Sequence, residues 1–459
     1  MQSEGVPARE QYEQEVMEFL AELIRFDTTN PPGNETAAAE FLRQKFEAEG
    51  IDAEVVESEP GRGSVIARLP GDGSRKSLLL LSHLDVVPVQ EEPRWSVEPF
   101  AGVVQDGFVW GRGAVDCKSL AAMNAMVMLL LKRSGVRLGG DLLYAAVADE
   151  EMGGAHGAGF LARERPQAVR ADYTINEGGG FFFSLGPGRK IFAIETGEKG
   201  ILWLRLKFKG RPGHGSMPKA ADNALVKLSD AVGKLSRHPT PKAVTPTVRE
   251  FITGMLVAQW GTRGRTMARL LLDSPLSGVL LRRAMRDPER VGQVDAMLRM
   301  TISPNVAAAG GKTNIVPGSA TLTCDCRLLP GQSKEAVYAE LRRAGLNLAD
   351  IEIEELESAE PSWSATDNEF YQTLEDVLEE VAPGVPVLPF LIPGTSDSRF
   401  VRGLGSIAYG FQPASPEEDG SDLARRVHGV DERIRVDSLS FGTDVILRVA
   451  RRVVGASGA

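Results

Sequence analysis

The chain has 459 residues, 42% of them hydrophobic, and a formal net charge of -10 at pH 7. Its length predicts about two or three domains. The excess of acidic residues argues against nonspecific binding to nucleic acids or to anionic membranes, because both partners need a cationic surface. The polar, acidic N-terminal stretch lacks the features of a secretory signal, and three cysteines (Cys117, Cys324 and Cys326) form no disulfide or zinc-knuckle pattern. We therefore expect a cytoplasmic protein that acts on a small molecule or a short peptide.

Apolar residues recur at helical spacing in two N-terminal segments, 10–25 and 35–49, which are separated by the predicted turn Asn30-Pro-Pro-Gly33. Beyond them the pattern changes to strand, loop and helix. The further predicted elements are strands at 53–56, 65–69, 142–148 and 172–176, a strand of leucines from 78, and helices at 118–133 and 155–164. This alternation predicts an α/β sheet with helices on its faces.

The strand of leucines, Leu78 to Leu81, should be central, because four consecutive apolar residues predict burial on both faces of the sheet. It ends in His83 and Asp85. Side chains two residues apart in an extended chain project to the same side, so these two should leave the strand together. An imidazole beside a carboxylate is typical of a metal ligand and its orienting group. An isolated pair of this kind is more often a buried histidine capped by an aspartate.

Further acidic residues follow the predicted strands. Asp116 lies in a glycine-rich loop before a helix, Glu150 and Glu151 follow the strand at 142–148, and Glu177 follows the strand at 172–176. In open α/β sheets, ligands bind beyond the carboxyl ends of the strands, so these side chains should converge. Two divalent ions sharing a bridging carboxylate would balance the repulsion within such a cluster. The alternatives are a helix cap for Asp116 and surface charges for Glu150 and Glu151.

The middle of the chain has a different pattern. Alternating strands at 201–208, 320–327 and 351–356 and a helix at 333–344 predict a small α+β domain. It is interrupted by a leucine- and arginine-rich, largely helical insertion at about 248–300. The sheet pattern resumes near Ala365 and ends in a helix after Val436. The predicted boundaries are 1–196 and 359–459 for the two parts of one domain, and 197–358 for the inserted domain.

Four segments, in order along the chain, carry a specific resemblance. They are Ser82-His-Leu-Asp-Val-Val87, Gly111-Arg-Gly-Ala-Val-Asp-Cys-Lys-Ser119, Ala148-Asp-Glu-Glu-Met-Gly-Gly154 and Arg426-Val-His-Gly-Val-Asp-Glu-Arg433. Together they resemble the successive signatures of the M20 metallopeptidases, and the insertion resembles the longer lids of the carboxypeptidase S-like branch. The resemblance implies a zinc-peptidase-type catalytic domain with a mixed, largely parallel sheet flanked by helices, plus an inserted α+β lid. It also implies two divalent ions, zinc first, with cobalt or manganese as alternatives.

The resemblance also implies a role for individual residues. The implied ligands are His83, Asp116 and Glu177 for one ion, and Asp116, Glu151 and His428 for the other. Asp116 would bridge the two ions, Asp85 would orient His83, and Glu150 would be the general base. Without the family motif, His428 is a solvated histidine in an arginine-rich loop. Cys117 is expected to be a buried bystander.

Four other residues are candidates for contact with the substrate. His214 lies in the lid motif Gly213-His-Gly-Ser-Met-Pro218, whose histidine reaches an active site in similar enzymes, and it would stabilise the oxyanion. Arg327 suits bidentate binding of a carboxylate. Thr395 lies in a loop that resembles a substrate-lining loop, and Asn305 is the weakest candidate.

The expected activity is hydrolysis of N-acyl amino acids or short peptides that carry a free carboxylate. Alternatives are a dipeptidase or aminopeptidase of the same family, or a binding protein that has lost catalysis. Similar enzymes pair through their lids, which implies a homodimer in which His214 reaches the partner's metals. The alternatives are a surface histidine in a turn and a chain that the segment 248–300 keeps monomeric by covering the lid edge.

Overall fold

The computed structural model describes residues 9–90, 92–274 and 288–455. The strands among them are β1 Asp52–Glu57, β2 Gly63–Leu69, β3 Leu78–His83, β4 Val103–Gln105, β5 Phe108–Trp110, β6 Leu142–Val147, β7 Tyr173–Asn176, β8 Phe181–Ser184, β9 Lys190–Glu198, β10 Gly200–Lys209, β11 Gly213–His214, β12 Thr301–Ala309, β13 Ile315–Val316, β14 Ser319–Leu328, β15 Ile351–Ala359, β16 Ser362–Trp363, β17 Val387–Ile392, β18 Ile407–Gly410 and β19 Arg433–Arg435. The α-helices are α1 Glu13–Arg25, α2 Thr36–Ala48, α3 Lys118–Ser134, α4 Ala158–Glu164, α5 Pro166–Val169, α6 Ala224–Arg237, α7 Pro246–Trp260, α8 Thr262–Asp273, α9 Pro288–Met297, α10 Lys334–Arg343, α11 Glu369–Val381, α12 Ser398–Gly403, α13 Gly420–Arg426 and α14 Val436–Val454. No helix among the described residues is long and apolar enough to cross a membrane.

A large mixed sheet organises the fold, with the strand order β1-β2-β6-β3-β7-β18-β9-β16. Its centre is parallel, because β6, β3, β7 and β18 all run in one direction. One flank is antiparallel, since β1, β2 and β6 pair antiparallel in turn, and on the other flank β9 pairs antiparallel with β18. The prediction of an α/β fold with a mixed sheet is confirmed: the centre is parallel, and β17 adds a parallel pairing to β9 on one flank.

The leucine strand β3 lies between β6 and β7, as a central strand should. All four leucines are fully buried. Leu78 and Leu80 pack into one core, which the helices α1, α3 and α14 cover. Leu79 and Leu81 pack into a second core on the opposite face, together with Leu161 and Val401. The unbroken leucine run is therefore required because the two faces of β3 serve two separate cores.

A smaller antiparallel sheet, ordered β12-β14-β10-β15, forms the second unit. Alternate side chains of β10 and β14, such as Leu202, Leu204 and Leu322, form its core with the helices α6 and α10. The chain leaves the large sheet after β9, whose last residue is Glu198, and returns at β16, which pairs with β9. These two adjacent crossings connect the two sheets.

Of the described helices of the insertion, α7 packs against the large sheet, α8 packs on α7, and α9 contributes to the same core. Val248 and Ile252 of α7 share a core with Ile191 of β9 and with Leu388 and Leu391 of β17. The sequence placed this stretch within the lid. The amphipathic pattern of a helix shows which of its sides is apolar but does not specify what that side contacts. In the structure, the apolar side of α7 covers the outer face of β17 and β9. Residues 275–287 of the predicted insertion lie outside the described residues.

Candidate active site

The carboxyl ends of three adjacent parallel strands bring the predicted residues together. His83 ends β3, Glu150 and Glu151 lie in a short 3-10 turn after β6, and Glu177 directly follows β7. Since β6, β3 and β7 are neighbours, their ends form one rim of the sheet, as expected for a ligand site in an α/β fold. Asp116, just before α3, and His428, just after α13, complete the cluster.

The side chains form two groups that share Asp116. In the first, His83 Nε2 lies 3.0 Å from Asp116 Oδ1 and 3.6 Å from Glu177 Oε2. In the second, His428 Nε2 lies 3.0 Å from Asp116 Oδ2 and 3.3 Å from Glu151 Oε1. Within each group the ligand atoms all lie within 4.8 Å of one another. Asp116 therefore presents a different oxygen to each group, which is the arrangement of a bridging carboxylate.

Burial and mutual repulsion shift the pKa values of these groups. Burial, followed by the charge of Asp116, raises the pKa of Glu177 to about 7. Burial also raises the pKa of Glu150 well above its usual value, and Glu177 adds to the effect. Hydrogen bonds to Asp116 and Glu151 raise the pKa of His428 to about 10. Burial opposes ionisation of Asp116, but hydrogen bonds from His428 and His83 outweigh it and lower the pKa of this carboxyl.

The donor set fits two divalent cations. Glu151 Oε1 is buried and lies 3.3 Å from His428 Nε2, and a cation held by these two atoms and Asp116 would satisfy both of them. Imidazole with carboxylate oxygens is a ligand set that suits zinc, cobalt or manganese. His83, Asp116 and Glu177 would hold one ion, and Asp116, Glu151 and His428 the other.

We expect metal binding at pH 7 to release at least one proton, because His428, with its pKa raised to about 10, is protonated in the metal-free chain while a ligating imidazole is neutral. Affinity should rise about tenfold per pH unit for each proton released, up to the pKa of that group. Below about pH 7, Glu177 should contribute a further proton. Calorimetric titration of Zn²⁺ in buffers of different ionisation enthalpy measures the number of protons released. A metal affinity that does not change with pH would contradict the prediction.

Asp85 contacts more than His83. His83 Nδ1 lies 3.0 Å from the backbone carbonyl of Asp85 and 3.4 Å from its Oδ1. The Asp85 carboxylate also accepts hydrogen bonds from the backbone N–H groups of Glu150 and Glu151, both at 3.0 Å. Asp85 thus orients the imidazole, largely through its backbone, and ties the turn that carries Glu150 and Glu151 to the end of β3.

Glu432 is a residue of the site to which the sequence analysis gave no role. It is fully buried and accepts hydrogen bonds from the backbone N–H groups of Gly113, Val115 and Asp116, at 3.0, 2.8 and 3.1 Å. It also pairs with Arg112 at 2.7 Å. Glu432 lies in the segment Arg426 to Arg433, four residues after His428, and this position in the sequence could have indicated a role in the site. Glu432 fixes the Asp116 loop against the His428 loop.

Two further buried groups adjoin the cluster. Asp397 has its Oδ2 buried without a hydrogen-bond partner among the described residues, and burial raises the pKa of this carboxyl well above its usual value. Cys117, treated above as a bystander, accepts a hydrogen bond from the backbone N–H of His83 at 3.2 Å. Its sulfur lies within 4.8 Å of the ligand atoms of the first group. Burial raises the pKa of the Cys117 thiol, which keeps it protonated.

The four candidates for substrate contact lie in four different parts of the chain and differ in their exposure. Arg327 makes a bidentate pair with Asp325, with distances of 2.7 and 3.1 Å. Thr395 is partly buried beside the buried Ser396, whereas Asn305 lies exposed on the edge strand β12. His214 is exposed on the lid and belongs to neither ligand group. A single chain therefore assembles the candidate metal ligands and leaves His214 outside the two groups.

A comparison with known families is decisive for the identity of this site. Residues 79–452 match the sequence model of peptidase family M20/M25/M40. The chain belongs to this family. As an M20 peptidase it is an enzyme that acts on amide bonds, and the candidate metal ligands fall within the matched region.

Similar proteins agree with the family assignment. The M20 chain is 30% identical over 381 residues to the N-fatty-acyl-amino acid synthase/hydrolase PM20D1 of Homo sapiens, covering 80% of this chain and 72% of that protein. It is 25% identical to aminoacylase-1 of Sus scrofa, covering 93% and 92% of the two chains. Its fold matches an M20 family metallo-carboxypeptidase of Sulfolobus solfataricus with a TM-score of 0.69 at 21% identity, covering 95% and 99%.

Proposed function

We propose that this enzyme hydrolyses the amide bond of N-acyl amino acids, or of short peptides with a free carboxylate, using two divalent ions, of which zinc is the first choice. The observation that carries the proposal is the pair of ligand groups sharing Asp116, with the buried Glu150 beside them. The names of the related proteins support this substrate class, since they include an aminoacylase and an acyl-amino acid hydrolase.

Glu150 has the properties of a general base. When bound, the two ions would polarise the substrate carbonyl and lower the pKa of the attacking water. Glu150 would take one proton from this water and return it to the nitrogen of the departing amine. Its raised pKa supports this use, because a more basic carboxylate takes a proton from water more readily.

Arg327 is the proposed binding group for the substrate carboxylate. Its guanidinium presents two N–H groups to Asp325 and keeps 23% of its side chain exposed. A substrate carboxylate could share the remaining donors, and Asp325 would hold the guanidinium in place meanwhile. An uncharged amide in the same position would lack this charge-assisted contact.

Replacing Arg327 by alanine should lower kcat/KM for acidic substrates by about 10- to 100-fold, because it removes a charge-assisted hydrogen bond. The metal content should be unchanged. The test compares N-acyl amino acids, dipeptides and their C-terminally amidated forms in the parent and in Arg327→Ala. Arg205→Ala is a matched control, since it breaks an arginine–glutamate pair elsewhere on the same sheet. Equal turnover of acid and amide forms by the parent would refute the carboxylate role.

A homodimer through the lid is proposed from the surface around His214. The edge strand β12 contains no charged residue, although exposed edges usually carry charges that prevent pairing. Exposed apolar side chains occur on the same domain: Val306 is 61% exposed, Val226 62% and Met217 59%. An uncharged edge with apolar neighbours supports pairing of two copies.

The hydrogen bonds of His214 suit a donor to an oxyanion. Its Nδ1 accepts the backbone N–H of Ser216 at 3.2 Å and lies 2.8 Å from the Ser216 hydroxyl. In the neutral imidazole this leaves the proton on Nε2. The ring would thus present an N–H to the metal site of a partner chain.

A second candidate function is that of a dipeptidase or aminopeptidase, which recognises a free amine. The buried, unpartnered Oδ2 of Asp397 favours it, because an ammonium group would satisfy that oxygen. The comparison of N-acyl amino acids with dipeptides separates the two candidate functions. Faster hydrolysis of free dipeptides than of their N-acetylated forms would select the peptidase.

We also propose a cytoplasmic location. The three cysteines are free and buried, as suits a protein made in a reducing compartment. Fractionation of the producing cells, followed by detection of the protein in each fraction, tests this proposal.

A further inference from the structure

Arg62 lies behind the turn that carries Glu150 and Glu151, outside every segment that carries the family resemblance. Its Nε is 3.0 Å from Glu35 Oε2, and its Nη2 donates to Asp149 Oδ1 at 2.7 Å. We propose that Arg62 is a positioning residue, which fixes the direction of Glu150 and Glu151 by holding Asp149. This inference rests on the proposed function of that site, and it assigns the task to a residue that touches neither ion nor substrate.

The guanidinium occupies a cradle formed by the turn Asn30-Pro-Pro-Gly33. Arg62 Nη1 donates to the carbonyl of Pro32 at 3.0 Å and lies 3.4 Å from Asn30 Oδ1. Gly33 has φ +82°, and a Cβ at this position would lie only 2.4 Å from Arg62 Cζ. Only glycine combines this backbone conformation with the required space. The turn is therefore shaped around the arginine side chain.

Asp149 transmits the effect to the catalytic turn. It is 3% exposed and has φ 74°, a conformation that a residue with a Cβ adopts only when its surroundings hold it. Its Oδ1 accepts from Arg62, and its Oδ2 accepts the backbone N–H of His156 at 2.9 Å. Its carbonyl accepts the N–H groups of Met152 and Gly154 at 3.2 and 2.6 Å, which closes the turn that displays Glu150 and Glu151.

A second connection runs through Asn30. Its Nδ2 donates to Asp149 Oδ1 at 3.2 Å and to Asp85 Oδ2 at 2.8 Å. Asp85 in turn accepts the backbone N–H groups of Glu150 and Glu151. Arg62 thus contacts Asp149 directly and Asp85 through Asn30, and its guanidinium lies between two buried carboxylates, Glu35 and Asp149.

Loss of Arg62 should weaken metal binding at the second ligand group, because Glu151 belongs to that group and not to the first. Removing Arg62 breaks its ion pair with Asp149, and the turn can then relax. Loss of a group that orients a metal ligand typically costs about 10- to 100-fold in metal affinity or activity. A role confined to fold stability would instead lower the melting temperature and leave the affinity of the folded protein unchanged.

The test uses Arg62→Ala, Arg62→Lys and the control Arg68→Ala, which removes an exposed arginine–aspartate pair from the adjoining strand β2. Co²⁺ is titrated into each metal-free protein and followed by its visible absorption, alongside melting temperature, kcat and KM. We expect Arg62→Ala to bind the second Co²⁺ and turn over about 10- to 100-fold less well, with the first Co²⁺ and KM little changed. Arg62→Lys should be intermediate, since an ammonium cannot reproduce the planar fork. Guanidinium ion added to Arg62→Ala should partly restore kcat.

Unchanged affinity for the second Co²⁺ in both Arg62 variants overturns the proposal, whatever happens to the melting temperature. If Arg62→Ala does not fold, Arg62→Lys decides by the same titration. The proposed hydrolytic function fails separately, if the parent binds two Co²⁺ ions but cleaves no N-acyl amino acid or peptide. In that case a weakened second site in the variants still supports the positioning role.

Discussion

Glu150→Gln is expected to retain both metal ions while kcat falls by about 10²- to 10⁴-fold, the range typical for loss of a general base. Glutamine keeps the size of the side chain and can still hydrogen-bond, but it cannot accept and return a proton. Glu150 belongs to neither of the two ligand groups, whereas the adjacent Glu151 belongs to the second. Metal retention with lost turnover is therefore the signature of a base that is not a ligand.

Two comparisons make this result specific. Asp116→Ala should release at least one ion, because both ligand groups use Asp116. Glu164→Gln changes an exposed glutamate at the end of α4 and should behave like the parent. Metal analysis and steady-state kinetics on the same preparations give both quantities. Loss of an ion from Glu150→Gln would contradict the assignment of Glu150 as base.

His214→Ala should lower kcat by about 10²- to 10³-fold, the usual cost of removing one donor to an oxyanion. The side chain is exposed and pairs with Ser216, so its removal should not unfold the protein. His238→Ala is a suitable control, because it removes another lid histidine whose Nε2 instead contacts Glu340 at 2.8 Å. Metal content should be unchanged in both variants.

Complementation shows which chain supplies His214. When inactive His214→Ala and inactive Glu150→Gln exchange subunits, a mixed dimer with crossing histidines contains one site with both residues intact. Statistical mixing then restores about a quarter of the parental activity, given one intact site in each mixed dimer. If activity stays absent although exchange is demonstrated, His214 acts within its own chain. A protein that sediments as a monomer at assay concentration would also exclude the crossing arrangement.

The sequence predicted those parts of the site that depend on local patterns. A strand of leucines ending in a histidine, and acids placed directly after neighbouring strands, lead to a rim at which the ligands meet, and the structure shows that convergence. The exact roles of these residues stay predictions. The central position of β3 is confirmed, because four consecutive apolar residues leave few other positions in a sheet.

What the sequence did not predict depends on contacts between distant segments. Arg62 meets Asp149 across 87 positions, and Glu432 meets the backbone of Asp116 across 316. No periodicity links such pairs, and a buried arginine or glutamate resembles a surface residue until the fold surrounds it. The packing of α7 against β17 and β9 was missed for a similar reason, since an amphipathic helix does not specify its partner.

The position of β18 in the sheet has a consequence for the order in which the chain can fold during synthesis. β18 lies between β7 and β9, so the N-terminal half of the large sheet cannot join the half containing β9 until residues 407–410 have left the ribosome. His83, Asp116 and Glu177 are translated long before His428. A nascent chain can therefore gather the first ligand group early, whereas the second has to wait for almost the whole polypeptide.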